Sequence, residues 1–114
     1  MSDLNYSLEE LPFLIFQKET EIVVIRTKLS ELQRKELYLR MIVENEIVHA
    51  PKDAGYTNEE KRRCAIYFRL DDHDEYNDVI SKIAETELNL NMAKVQLNYL
   101  KNSWSPIIQV THSG

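Results

Sequence analysis

Most of the side chains that could do chemistry fall between residues 61 and 74. Asp71-Asp72-His73-Asp74 offers three carboxylates and an imidazole, a donor set for a hard or borderline metal ion. Adjacent residues on a helix point around its axis and do not converge on one ion, and the spacing fits neither H-E-x-x-H nor a calcium loop. An acidic first turn of a helix, where the dipole favours negative charge, explains the run without a metal. Cys64 sits beside Arg62 and Arg63 near a helix start, which favours a thiolate. Its neighbours Ala65, Ile66 and Phe68 instead predict a small buried hydrophobe, and His49, His73 and His112 are all too far along the chain to name a partner. Glycine-rich phosphate loops and Ser-His-Asp patterns do not occur. The expectation is a protein without catalytic residues, cofactor or metal.

Lys61, Arg62, Arg63 and Arg69 form the one basic cluster. Arg62 and Arg69 are seven apart and share a helix face, with Tyr67 close by. Guanidinium groups beside an aromatic ring are a common way to hold single-stranded nucleic acid. The competing reading is ion pairing on a solvated face, Glu59 with Arg63 and Arg69 with Asp72 or His73 across one turn.

The elements that position these residues follow from spacing. Leu8, Leu11, Ile15, Lys18, Ile22, Ile25, Leu29, Leu32, Glu36, Leu39 and Val43 recur at alternating steps of three and four, the seam of a coiled coil. Val24, Tyr38, Ile42 and Ile47 widen it. A helix over residues 8–48 is predicted, opened by the capping box Ser7-Leu8-Glu9-Glu10 with Tyr6 and Leu11 as its staple. Pro12 either kinks that helix or marks its true start. Pro51 and Gly55 predict a turn over residues 49–57. Thr57-Asn58-Glu59-Glu60 reads as a second capping box, opening a helix over 58–70 whose Cys64–Phe68 stretch is apolar on nearly every side and wants burial, under the hairpin head or against another chain.

A further helix over 72–103, separate or joined to the last by a kink, repeats the seam with Tyr76, Val79, Ile83, Thr86, Leu90, Ala93, Leu97, Leu100 and Trp104. Ile80, Ala84, Leu88, Val95 and Tyr99 form a second flank beside it. Trp104 is expected to seal the bundle end against an extended tail over 104–114 that begins around Ser105-Pro106. At about 1.5 Å per residue the two long helices match in length. The predicted fold is all-α, a long antiparallel helical hairpin of coiled-coil type with a short or kinked middle helix. Both apolar stripes are broader than one partner helix can cover, so copies are expected to associate into a helical bundle.

The 114 residues have room for one domain, and 43 % hydrophobic with 29 % charged residues fits neither a disordered chain nor a membrane protein. Phe13-Leu14-Ile15-Phe16 is far too short a run to span a bilayer, and no basic segment precedes a hydrophobic one as in a secretory leader. A single cysteine leaves no intrachain disulfide and suits a reducing cytoplasm. The formal charge of −5 argues against gripping nucleic acid through bulk charge.

Thr57-Asn58-Glu59-Glu60-Lys61-Arg62-Arg63, then Leu70-Asp71, Tyr76 and a helix ending Leu97-Asn98-Tyr99-Leu100-Lys101-Asn102, make a recognisable order. Residues 57–104 resemble small coiled-coil proteins of phages, prophages and bacterial genomes, often encoded beside single-strand annealing or other recombination genes. The resemblance implies a recombination setting and places Asn58, Glu59 and Arg62 on a motif at the hairpin turn. The function expected is a non-enzymatic, self-associating adaptor with a protein partner. The alternatives are a single-stranded nucleic-acid binder using residues 61–69 and a prefoldin-like chaperone hairpin.

Overall fold

Proline governs where the first helix can begin. Pro12 has no amide to donate, which costs little in a first turn whose amides have no intrahelical acceptor. In the computed structural model, which describes residues 9–113 and the side chains of 9–104, helix α1 runs Glu10–Val48 and carries Pro12 in that first turn. The helix therefore starts ahead of the proline and needs no break at it. Tyr6, Ser7 and Leu8 of the expected capping box and staple lie outside the described residues.

The turn is built by two residues with special backbones. Pro51 takes φ −59° and ψ 152°, which leaves the helix, and a single 3-10 turn follows over Lys52–Ala54. Gly55 closes that turn at φ 91°, in the left-handed region that a Cβ disfavours. Helix α2 runs Glu59–Asp71. Its cap is Asn58, whose side chain accepts from the Lys61 amide at 2.8 Å. The box expected from Thr57 is thus displaced by one residue, because asparagine at the next position can do the same work from the better-placed side chain.

Helix α3 runs Asp74–Ser113. Between α2 and α3 there is a true break at Asp72 and His73, and two side chains make it. His73 Nδ1 accepts from the Tyr76 amide at 3.0 Å, and Asn77 Nδ2 donates to the Asp71 carbonyl at 2.8 Å. One side chain caps the start of α3 and the other the end of α2, so neither glycine nor proline is required. The end of α3 corrects the expected extended tail over 104–114: the backbone stays helical to Ser113. Proline's fixed φ is itself helical, so Pro106 removes one amide bond, to the Asn102 carbonyl, while the backbone on both sides stays helical.

All regular structure among the described residues is helical, and the chain is a helical hairpin. It divides into two compact units, Met1–Lys28 with Thr86–Gly114 and Leu29–Glu85. In the first, Leu11 and Ile22 of α1 are buried with Thr86, Leu90, Ala93 and Leu100 of α3. In the second, Leu39, Val43 and Ile47 are buried with Val79. The helices face each other in reversed order in each unit: in the first, Leu14–Glu21 lie beside Val95–Leu100 and Ile25 and Lys28 beside Thr86–Ala93; in the second, Lys35 meets Glu75 and Glu46 meets Arg69.

Candidate functional site

The basic cluster does not form one face. Arg62 and Arg69 do share a side of α2. Arg62 Nη1 donates to the Tyr56 carbonyl at 3.4 Å, and Arg69 reaches across to Glu46 of α1 at 2.8 Å. Arg69 therefore pairs with another element and not with Asp72 or His73. Arg63 turns elsewhere and pairs with Glu59 at 3.2 Å, one turn back. Lys61 is exposed and gives its backbone amide to the Asn58 cap. The three guanidinium groups are each engaged within the chain, and Tyr67 packs edge-on against Phe68 with ring centres 5.7 Å apart.

Nor does the acidic turn assemble a donor set. His73 spends a ring nitrogen on the Tyr76 amide, and among the described residues no three of His, Cys, Asp and Glu come together as metal ligands. Cys64 is exposed, as are Tyr67 and Phe68, while Ala65 and Ile66 are half-buried, which corrects the expectation of burial under the hairpin head. A thirteen-residue helix has only one side against α1; Ile66 and Leu70 occupy it, half-buried, and Cys64, Tyr67 and Phe68 are left outside.

The inner rows hold the expected seam residues. Ile22, Leu39, Val79, Leu90 and Leu100 are buried; Ile15, Ile25, Leu29, Leu32, Ile83, Leu97 and Trp104 are half-buried. The polar members of those rows are the informative ones. Lys18 donates to Gln96 of α3 and to Glu21 at 2.6 Å each. In the second unit the Tyr76 hydroxyl donates to Glu36 Oε2 at 2.7 Å, Arg40 Nε donates to the same oxygen at 3.0 Å, and Arg40 also meets Glu44 at 3.5 Å. Burial pushes the Glu36 carboxyl up, but the bonds from Tyr76 and Arg40 and the guanidinium charge outweigh it and hold the group below the usual carboxylate range. Burial, with the bond to Glu36 and its charge, pushes the Tyr76 phenol up to about 12. Glu36 and its bond raise Arg40 further. Sequence reading placed Glu36 and Tyr76 in opposite rows without pairing them; the signal was a carboxylate and a phenol at level positions of two largely apolar seams.

The helices also leave a broad apolar surface outside. On α1 in the first unit Phe13, Phe16, Val23 and Val24 are exposed. Thr20 and Thr27 lie among them and bond back to the Phe16 and Val23 carbonyls at 2.9 and 3.0 Å, which turns their hydroxyls inward on the helix. On α3 in the same unit Leu88, Met92, Val95 and Tyr99 are exposed. An open groove of about 780 Å³ runs between the helices, lined by Leu14, Gln17, Val95 and Tyr99, with Lys18 and Glu21 already paired within it. The second unit exposes Leu37, Tyr38, Met41 and Ile42 on α1.

No helix among the described residues is long and apolar enough to cross a membrane. No protein-family model, curated protein or solved structure matches the chain. Any functional reading therefore has to come from the surfaces.

Proposed function

We propose that this chain is a non-enzymatic, self-associating helical-hairpin adaptor. The observation that supports the reading is the set of exposed apolar rows on the outer sides of α1 and α3, at positions where a two-helix hairpin in water carries charge. Phe13, Phe16, Val23 and Val24 on one helix and Leu88, Met92, Val95 and Tyr99 on the other are too continuous to be scattered surface hydrophobes. The recombination setting is carried by the resemblance of residues 57–104 alone, and the adaptor role extends it: assembled copies would present the polar sides and the exposed α2 helix to a protein partner. Nucleic-acid binding through residues 61–69 draws less support, since Arg62, Arg63 and Arg69 already have partners in the chain.

Size-exclusion chromatography with light scattering tests the reading. The expected mass is a multiple of 13.5 kDa. A monomer at every concentration up to the millimolar range sinks it.

A further inference from the structure

We propose that the α2–α3 joint is a proton-operated latch: the neutral ring of His73 holds the first turn of α3 closed, and protonation of that ring releases it. The latch belongs to one junction of a single chain and does not depend on self-association.

From Tyr56 to Ser105 the chain contains neither glycine nor proline, so nothing in its backbone chemistry forces a break at Asp72 and His73. The Asp72 amide still reaches the Phe68 carbonyl at 3.2 Å, and the His73 amide tightens onto the Leu70 carbonyl at 3.1 Å. The helical pattern resumes with the Asn77 amide on the His73 carbonyl at 2.9 Å. In between, the break takes from the Tyr76 amide its helical acceptor on Asp72, and His73 Nδ1 replaces it at 3.0 Å. Asn77 Nδ2 secures the other side, on the Asp71 carbonyl, at 2.8 Å. An amide side chain keeps such a bond at any ordinary pH. An imidazole does not: once charged it carries hydrogen on both ring nitrogens and has no lone pair left to accept. Two N–H groups would then point at each other, and the positive end of the α3 dipole would face a cation. Both effects expel a charged ring from the cap.

The charges around the joint decide where that ring goes. His73 is half-buried. From α1, Lys35 meets Glu75 at 3.4 Å and Glu46 meets Arg69 at 2.8 Å. Glu36 takes the Tyr76 hydroxyl and Arg40, and Arg40 also meets Glu44. The α2 and α3 ends add Asp71, Asp72 and Asp74, all exposed and within two residues of the ring along the chain. These carboxylates draw an imidazolium away from the amide end of α3. Protonation therefore exchanges a cap for an ion pair and leaves the Tyr76 amide open. The Tyr76 hydroxyl stays on Glu36, so the release is confined to the first turn of α3 and does not part the hairpin. Histidine changes charge between about pH 5 and 8, which sets the range in which the latch works.

The test follows the Tyr76 amide of the full chain by hydrogen exchange read with NMR, as a protection factor set beside that of the buried Val79. Protection factors remove the intrinsic dependence of exchange on pH. Between about pH 7.5 and 5 the Tyr76 factor should fall about tenfold, the size of a helix cap's contribution, while the Val79 factor holds. His73→Asn supplies an acceptor that does not titrate and should keep Tyr76 protected at both ends of the range. His73→Ala supplies none and should leave it open at both. His49→Gln, at the end of α1, should behave as the unaltered chain does. A Tyr76 factor that stays level across the range in the unaltered chain overturns the latch. So does a fall that persists at full size in His73→Asn, or one that vanishes in His49→Gln.

Discussion

Tyr76 and Glu36 show how one polar pair can specify alignment within an apolar seam. In the second unit the hydroxyl and the carboxylate meet at 2.7 Å, and sliding either helix by one turn would leave both half-buried groups without that partner. The pair also makes stability depend on pH at both ends of the scale. The Glu36 carboxyl is lowered in the fold, so its contribution is present above the ordinary carboxylate value and is lost as pH falls through the folded value. The Tyr76 phenol is raised from 10.0 to about 12, so its contribution is complete below 10 and is lost as pH rises toward 12. Tyr76→Phe should therefore lower the melting temperature at neutral pH, by about 1 kcal/mol in free-energy terms, and flatten the loss between pH 10 and 12. An alkaline limb unchanged in the variant would show that another group sets it. Lys18 answers Gln96 in the first unit with the same logic.

At the scale of elements, the long helices were legible and their junctions only in part. Steps of three and four from Leu11 to Val43 and from Tyr76 to Trp104 leave a helix as the one structure that gathers those side chains on a single face. The junctions rest on single side chains with several equivalent choices nearby. Asn58 rather than Thr57 caps α2, and His73, a residue seldom found in that role, caps α3. Arg69 found Glu46, twenty-three residues away, where local spacing offered Asp72. Pro106 within a helix defied the general rule because its cost is a finite one, about 3 kcal/mol, which the rest of a forty-residue helix can absorb. Gly55 is the junction with the least freedom. A Cβ there would meet nothing within 4 Å, so the φ of 91° alone opposes it. Gly55→Ala should destabilise by about 1–2 kcal/mol in chemical denaturation, and Gly55→Asn by less, since asparagine tolerates the left-handed region. Equal effects from the two would assign the cost to something other than backbone conformation.

For the whole molecule the sequence predicted the class and the hairpin, together with the excess of apolar surface; what remained illegible was which apolar residues two helices can hide. Cys64, Tyr67 and Phe68 looked like interior and are outside, because among the described residues only one side of α2 is covered. A net charge of −5 spread over such a surface keeps copies apart at long range without opposing contact along uncharged strips. The same charge, with the α2 guanidinium groups already paired, bears on nucleic acid. Fluorescence anisotropy with a labelled single-stranded oligonucleotide at low salt should show no more binding for the unaltered chain than for Arg62→Ala/Arg69→Ala. Tight, salt-sensitive binding abolished by that double change would return residues 61–69 to the centre of the account.

The two helix ends held by imidazoles carry opposite chemical imprints. At the close of α1 the His49 Nδ1 lies 3.0 Å from the Asn45 carbonyl, which can only accept, so the hydrogen belongs on Nδ1. At the start of α3 the His73 Nδ1 receives the Tyr76 amide, so its hydrogen belongs on Nε2. The neutral rings are thus locked as different tautomers, and nitrogen chemical shifts tell them apart: each histidine is a natural reporter of whether its own joint is closed.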